Sequence, residues 1–164
     1  MTPCKRAICL LALLTALGWI GLASGYAQTG KRSYEIYAQK LVDDTLAKHK
    51  EVIILAFHVI PPGSTENVII ASNIGRIGKK ADEDDMRVIN TGKPNLEVNA
   101  TGEHFEVELV LQDQSGKTIG AAGVVFPYKA GDDKAKLQKQ AEVVRDEIRK
   151  QTPTVDKFFE PVTY

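Results

Sequence analysis

The sequence predicts a small α+β domain, with one five-stranded antiparallel sheet, flanking N- and C-terminal helices, and a short helix inserted between strands two and three. Three observations predict it. Residues 33–49, and again the stretch from Asp132 to the stop at Thr152-Pro153, place apolar side chains at three- and four-residue steps, the period of a helix with one buried face. Residues 52–60 (VIILAFHVI) form a run too apolar for a wet face, which reads as a central strand covered on both sides. Between these lie shorter alternating runs divided by Gly, Pro, Asn and Asp.

The chain has 164 residues, a length suited to one domain. At its start, Lys5 and Arg6 precede an apolar run over residues 7–23, followed by Ser24, Gly25, Tyr26 and Ala27. A basic start, an apolar middle and small residues before a cut read as an export signal, residues 1–27, cleaved after Ala27. The alternative is an uncleaved anchor, because about 17 apolar residues just span a bilayer. Residues 28–164 then form the mature domain. Both cysteines, Cys4 and Cys9, fall in the leader, so the mature domain has no thiol for a disulfide, a nucleophile or a metal. The whole chain carries 21 Lys+Arg and 21 Asp+Glu; losing Lys5 and Arg6 leaves 19 against 21. A near-neutral domain of this kind offers no footprint for a phosphate backbone, and no nucleic-acid partner is expected.

Taken in order, Tyr34, Tyr37, Ala38, Leu41 and Thr45 give the first helix its buried stripe, with Ser33 as N-cap. Pro61-Pro62-Gly63-Ser64 turns strand one into strand two, residues 65–73, where Val68, Ile70 and Ser72 share one face and Asn67, Ile69, Ala71 and Asn73 the other. A glycine-punctuated connection, residues 74–80, leads to Asp82, an N-cap followed by Glu83, Asp84 and Asp85 at the positive end of a short helix that Gly92 and Pro94 stop. Residues 96–99 give a weak third strand. In residues 104–112, Phe105, Val107, Leu109 and Leu111 face the core while Glu106, Glu108 and Gln112 face out. Asp113-Gln114-Ser115-Gly116 turns into the last strand, residues 117–128, with the small-sided stretch from Gly120 to Gly123. The strands read as a meander. In the final helix Leu137, Ala141, Val144 and Ile148 are buried, and Val155, Phe158 and Phe159 of the tail fold back onto the body.

The order of four segments carries a resemblance: Val68-Ile69-Ile70-Ala71-Ser72-Asn73, Ile77-Gly78-Lys79, Asp82-Glu83-Asp84-Asp85, and residues 113–120 (DQSGKTIG). Together, over roughly residues 41–128, they resemble single-Cache or PAS-type extracytoplasmic sensor domains. The resemblance implies a concave sheet face closed by the inserted helix and loop, holding a small polar molecule such as an organic acid or amino acid. No output domain follows residue 128 in this sequence, so a free periplasmic binder, with a membrane-bound partner protein, fits better than a one-piece transmembrane sensor.

Candidate ligand contacts are His58, Ser72, Asn73, Arg76 and Lys79. His58 shares a strand face with Ile54, Ala56 and Ile60, so its imidazole looks into an apolar layer, as a ligand contact or as a core-edge histidine with a satisfied hydrogen bond. Arg76, between Gly75 and Gly78, presents a planar fork suited to a carboxylate, although the acidic run after it repels anions. Ser72 and Asn73 either orient a polar ligand group or cap the loop, and Lys79 and Lys80 either neutralise a ligand or pair with Asp82 to Asp85. Glu106 and Glu108 point the same way, as paired acids or as an ordinary face turned to water. The small stretch at Gly120 to Gly123 either leaves room for a ligand or lets the last helix pack closely. His49, His58 and His104 come from separate elements without metal-ligand spacing, so no metal, haem or other cofactor is expected. With no Gly-x-Ser-x-Gly, Ser-x-x-Lys or mature cysteine, binding ranks first, an interaction module without ligand second, and an enzyme last.

Overall fold

The computed structural model describes residues 35–162; the leader, the cut after Ala27 and the Ser33 cap lie outside them. The elements are β1 (Glu35–Ile36), α1 (Tyr37–Lys48), β2 (Ile54–Val59), β3 (Val68–Ser72), α2 (Glu83–Thr91), β4 (Asn95–Val98), β5 (His104–Gln112), β6 (Thr118–Pro127), α3 (Lys134–Lys150), a 3-10 turn (Val155–Phe159) and β7 (Pro161–Val162). The main sheet is antiparallel throughout, in the order β3-β2-β6-β5-β4, and the short β1 and β7 pair separately.

That order corrects two expectations. The connection is not a plain meander, and β2 is interior but not the middle ribbon; β6 holds that place between β2 and β5. A meander would leave the ten residues of β6 at an edge with one row of backbone groups unpaired, whereas this seat satisfies both rows. The start of α1 also differs. Tyr37 N–H donates to the Glu160 carbonyl at 2.8 Å and β1 pairs with β7, so the returning tail sets the helix start, and Ile36 provides no side-chain cap.

One sheet face packs under α1 and α3. Leu55, Phe57 and Val59 of β2, Phe105, Val107, Leu109 and Leu111 of β5, and Ala122, Val124 and Phe126 of β6 meet Leu41 and Val42 of α1 and Ala141, Val144 and Ile148 of α3. Phe158 completes this core, stacked on Phe57 at 5.5 Å between centroids. In β3 the expected two-residue alternation breaks. A bulge between Phe57 and His58 leaves Ile70 as the extra residue, so Ile70 and Ala71 both join the core while Ile69 pairs with His58.

The opposite face lies under α2. Asp82 caps this helix by accepting from the N–H groups of Asp84 and Asp85, and the Asp85 carboxylate accepts from Asp82 N–H at 2.8 Å, a complete capping box. Gly92 ends it in the left-handed region at φ 71°. Val88 anchors α2 on Val110 and Ala121, a small apolar contact that covers only part of the face.

Candidate functional site

Beside that contact, the sheet, α2 and the 74–80 loop line a cavity of about 160 Å³ that opens to solvent. The middle strand makes the room. Gly123 and Ala121 of β6 lie between Ala56 and His58 of β2 on one side and Glu108 and Val110 of β5 on the other, so nothing large rises from the centre of the floor. A Cβ on Gly123 would stand 2.8 Å from Glu106 Oε1, because the glutamate side chain lies across the glycine.

His58 and Glu108, 6% and 4% exposed, line this cavity. The bulge beside Phe57 sets His58 opposite Ile69, and its Nδ1 stands 3.4 Å from Asp85 Oδ2 without a hydrogen bond. Glu108 Oε1 is also buried without a hydrogen-bond partner among the described residues. Loss of hydration pushes the Glu108 carboxyl up to about 9, helped by the neighbouring Asp85 carboxylate and by the negative charge of Glu106. Loss of hydration also raises Glu106, with Asp85, Glu97 and Asp82 adding to the effect and Lys79 opposing it. Desolvation lowers His58 and outweighs the attraction of Asp85, so its neutral form is favoured. At the floor, burial and neighbouring negative charge thus favour the protonated form of Glu108.

The loop sets the rim. Ile69 N–H donates to the Lys79 carbonyl at 2.9 Å and Gly78 N–H to the Ile69 carbonyl at 2.8 Å, which binds the loop to the edge of β3. Arg76 has φ 63°, the sole non-glycine in the left-handed region among the described residues. Its side chain lines the cavity with Lys79, which stands 3.7 Å from Asp82.

Of the five sequence candidates, His58, Arg76 and Lys79 come together at this cavity. Ser72 and Asn73 do not line it. Ser72 Oγ accepts from Ile74 N–H at 3.2 Å, and Asn73 bridges the β2 backbone, accepting from Leu55 N–H and donating to the Ile53 carbonyl. Both hold the loop in place. Glu106 and Glu108 both line the cavity on the α2 side of the sheet; Glu106 is exposed, as the alternation of β5 implied, whereas Glu108, expected to face water, is buried. The alternation of β5 separates two faces, but α2 decides what covers the second. Glu97 escaped notice because β4 is short; it lies directly opposite Glu106 in register. Like charges placed so are unfavourable, and both side chains are exposed to solvent, which screens them. Among the described residues no three His, Cys, Asp or Glu side chains form a group able to hold a metal ion.

No family model matches the chain, and no curated protein matches it. Solved structures do. The NLH2 GAF domain of A. aeolicus, in an inactive state, superposes with a TM-score of 0.55 at 11% identity, over 70% of this chain and 83% of that one. The fold is GAF/PAS-like. The repressor BlcR of Agobacterium tumefaciens superposes with a TM-score of 0.51, also at 11% identity, over 71% of this chain and 67% of that one. At such identity the likeness establishes the fold and leaves the chemistry to the residues themselves.

Proposed function

We propose that this chain is an exported sensor-type binding domain of the Cache/PAS kind, which holds a small polar molecule between the sheet and the segment 73–92 and passes its occupancy to a membrane-bound partner. One observation carries the reading: a cavity of about 160 Å³ with two buried polar atoms, His58 Nδ1 and Glu108 Oε1, lacking hydrogen-bond partners among the described residues. Interiors satisfy nearly all such atoms, and a ligand is the group that would satisfy these. The rival, an interaction module with a solid sheet face, has no use for that space. Export rests on the basic and apolar pattern before Ala27.

Native mass spectrometry of freshly purified protein, with thermal shift across a metabolite panel, tests the binding reading. A co-purifying small molecule or a rise in Tm is expected, since binding to the native state must stabilise it. Gly123→Val fills the floor and should abolish that response while leaving the circular dichroism spectrum unchanged. Absence of any bound mass and of any stabilised melt would sink the proposal. Intact mass of the exported protein tests the leader, with loss of residues 1–27 expected.

A further inference from the structure

The outer strands of the main sheet, β3 and β4, are finished differently. Along β3 the loop stands in for a neighbouring strand: Ile69 N–H donates to the Lys79 carbonyl, Gly78 N–H to the Ile69 carbonyl and Ala81 N–H to the Asn67 carbonyl. That edge is closed. Along β4 no further strand pairs among the described residues. Asn99 N–H donates to the His104 carbonyl at 3.0 Å, and counting back in register from this bonded pair makes Glu97 with Glu106 and Asn95 with Glu108 the hydrogen-bonded pairs. The backbone groups of Leu96 and Val98 therefore point outward. Leu96, 44% exposed, is a large apolar side chain in the middle of this open row.

We infer that two copies of this chain join β4 to β4 about a two-fold axis at Leu96, making one continuous sheet. Leu96 then exchanges both backbone bonds with its counterpart, and each Val98 N–H donates to the other copy's Pro94 carbonyl, a role proline can fill. Charge selects the same register. Arg87 Nη2 donates to Asn95 Oδ1 at 2.8 Å, which holds the guanidinium beside Asn95. An axis at Leu96 sets Glu97 of each copy directly opposite Asn95 of the other, within reach of that guanidinium, whereas in its own copy Glu97 has Glu106 opposite. An axis at Glu97 would place this acid against itself and ask for backbone groups already bonded to β5. An axis at Val98 would run the pairing into the turn that Asn99 Oδ1 ties down by accepting from Glu103 and His104 N–H.

Sedimentation velocity of the purified protein from about 1 μM to about 1 mM tests this, because an interface of this size is a weak one. A concentration-dependent dimer is expected. Leu96→Pro removes an outward N–H, which an edge strand tolerates, and should abolish the dimer while keeping the native circular dichroism spectrum. Glu97→Arg and Arg87→Glu should each weaken it about tenfold or more, and their equimolar mixture should recover it, since only the mixed pair sets opposite charges across both contacts. Should Leu96→Pro misfold, the mixing experiment still decides. A monomer at every concentration would overturn the inference and leave the edge to a strand of another protein. A dimer indifferent to these variants, or charge variants that do not recover on mixing, would overturn it as well.

Discussion

On strand β2, Leu55, Phe57 and Val59 are sealed under the two long helices, while Ala56 and His58, one position away on the same strand, face a partly empty space. On β5 the same alternation puts Val107 and Leu109 in the core and Glu106 and Glu108 at the cavity. The two faces differ in what covers them. The terminal helices bring Leu41, Val42, Ala141, Val144 and Ile148 and fill their side, whereas α2 brings Val88 at one end and an acidic cap at the other. Stability is thus concentrated on the first face and polar strain on the second. A substitution on the first should change folding, and one on the second should change binding and pH response.

The sharpest break of that contrast is Phe57→Ala. The side chain is fully buried and stacks on Phe158, so its removal deletes a core aromatic and loosens the tail that also sets the start of α1. A loss of about 3–5 kcal/mol is expected in urea unfolding, with the folded fraction still showing native circular dichroism. A loss below about 1 kcal/mol, as at an exposed position, would mean that this face is not the stabilising one.

A smaller effect comes from Gly120→Ala, where the faces meet. An added Cβ would lie 2.0 Å from the His58 carbonyl oxygen, a backbone atom with no freedom to swing aside. The strands must part, at a cost of about 1–3 kcal/mol in the same assay. At Gly123 the atom in the way is the flexible end of Glu106 instead, which is why that position suits a test of the cavity and Gly120 does not. Equal stability of Gly120→Ala and the parent protein would show that β2 and β6 are not held together there.

The helices, the strands and the α2 cap were legible because each is written locally: the stripe through Leu137, Ala141, Val144 and Ile148, the run at residues 52–60, and Asp82 with Gly92 at the helix ends. What stayed hidden depends on pairing across long separations. The seat of β6 between β2 and β5, the bulge at Ile70 and the capture of Tyr37 N–H by Glu160 have no local pattern. For the site, His58, Arg76 and Lys79 were readable as chemistry-bearing residues near an apolar run and a loop. Glu106 is exposed as the alternation implied, whereas Glu108 carried the right chemistry and was assigned the wrong surroundings, since alternation marks a second face without saying whether water or a helix lies over it. Ser72 and Asn73 show the reverse, polar residues at the right place whose hydrogen bonds go to backbone.

The smallest effect at acid pH, and the one most specific to the cavity face, is Glu108→Gln. In the unfolded chain this carboxyl ionises near its ordinary value of 4.5, whereas in the fold it holds its proton up to about 9. Below both values the native and unfolded states carry the same proton, and the variant and parent should be nearly equal. Between them the unfolded state releases a proton that the native state keeps, so parental stability falls as pH rises, and the fall ends above about 9. Glutamine, which cannot ionise, removes this slope. His58 acts in the opposite sense: its lowered value makes the native state lose stability as pH falls below 6.5, but it is present in both proteins and largely cancels in the difference. Unfolding midpoints measured across this range should therefore converge in acid and diverge toward alkali, with Glu108→Gln the more stable. Parallel curves would mean that Glu108 is as wet as the sequence alternation implied, and the contrast between the two faces would lose its chemical half.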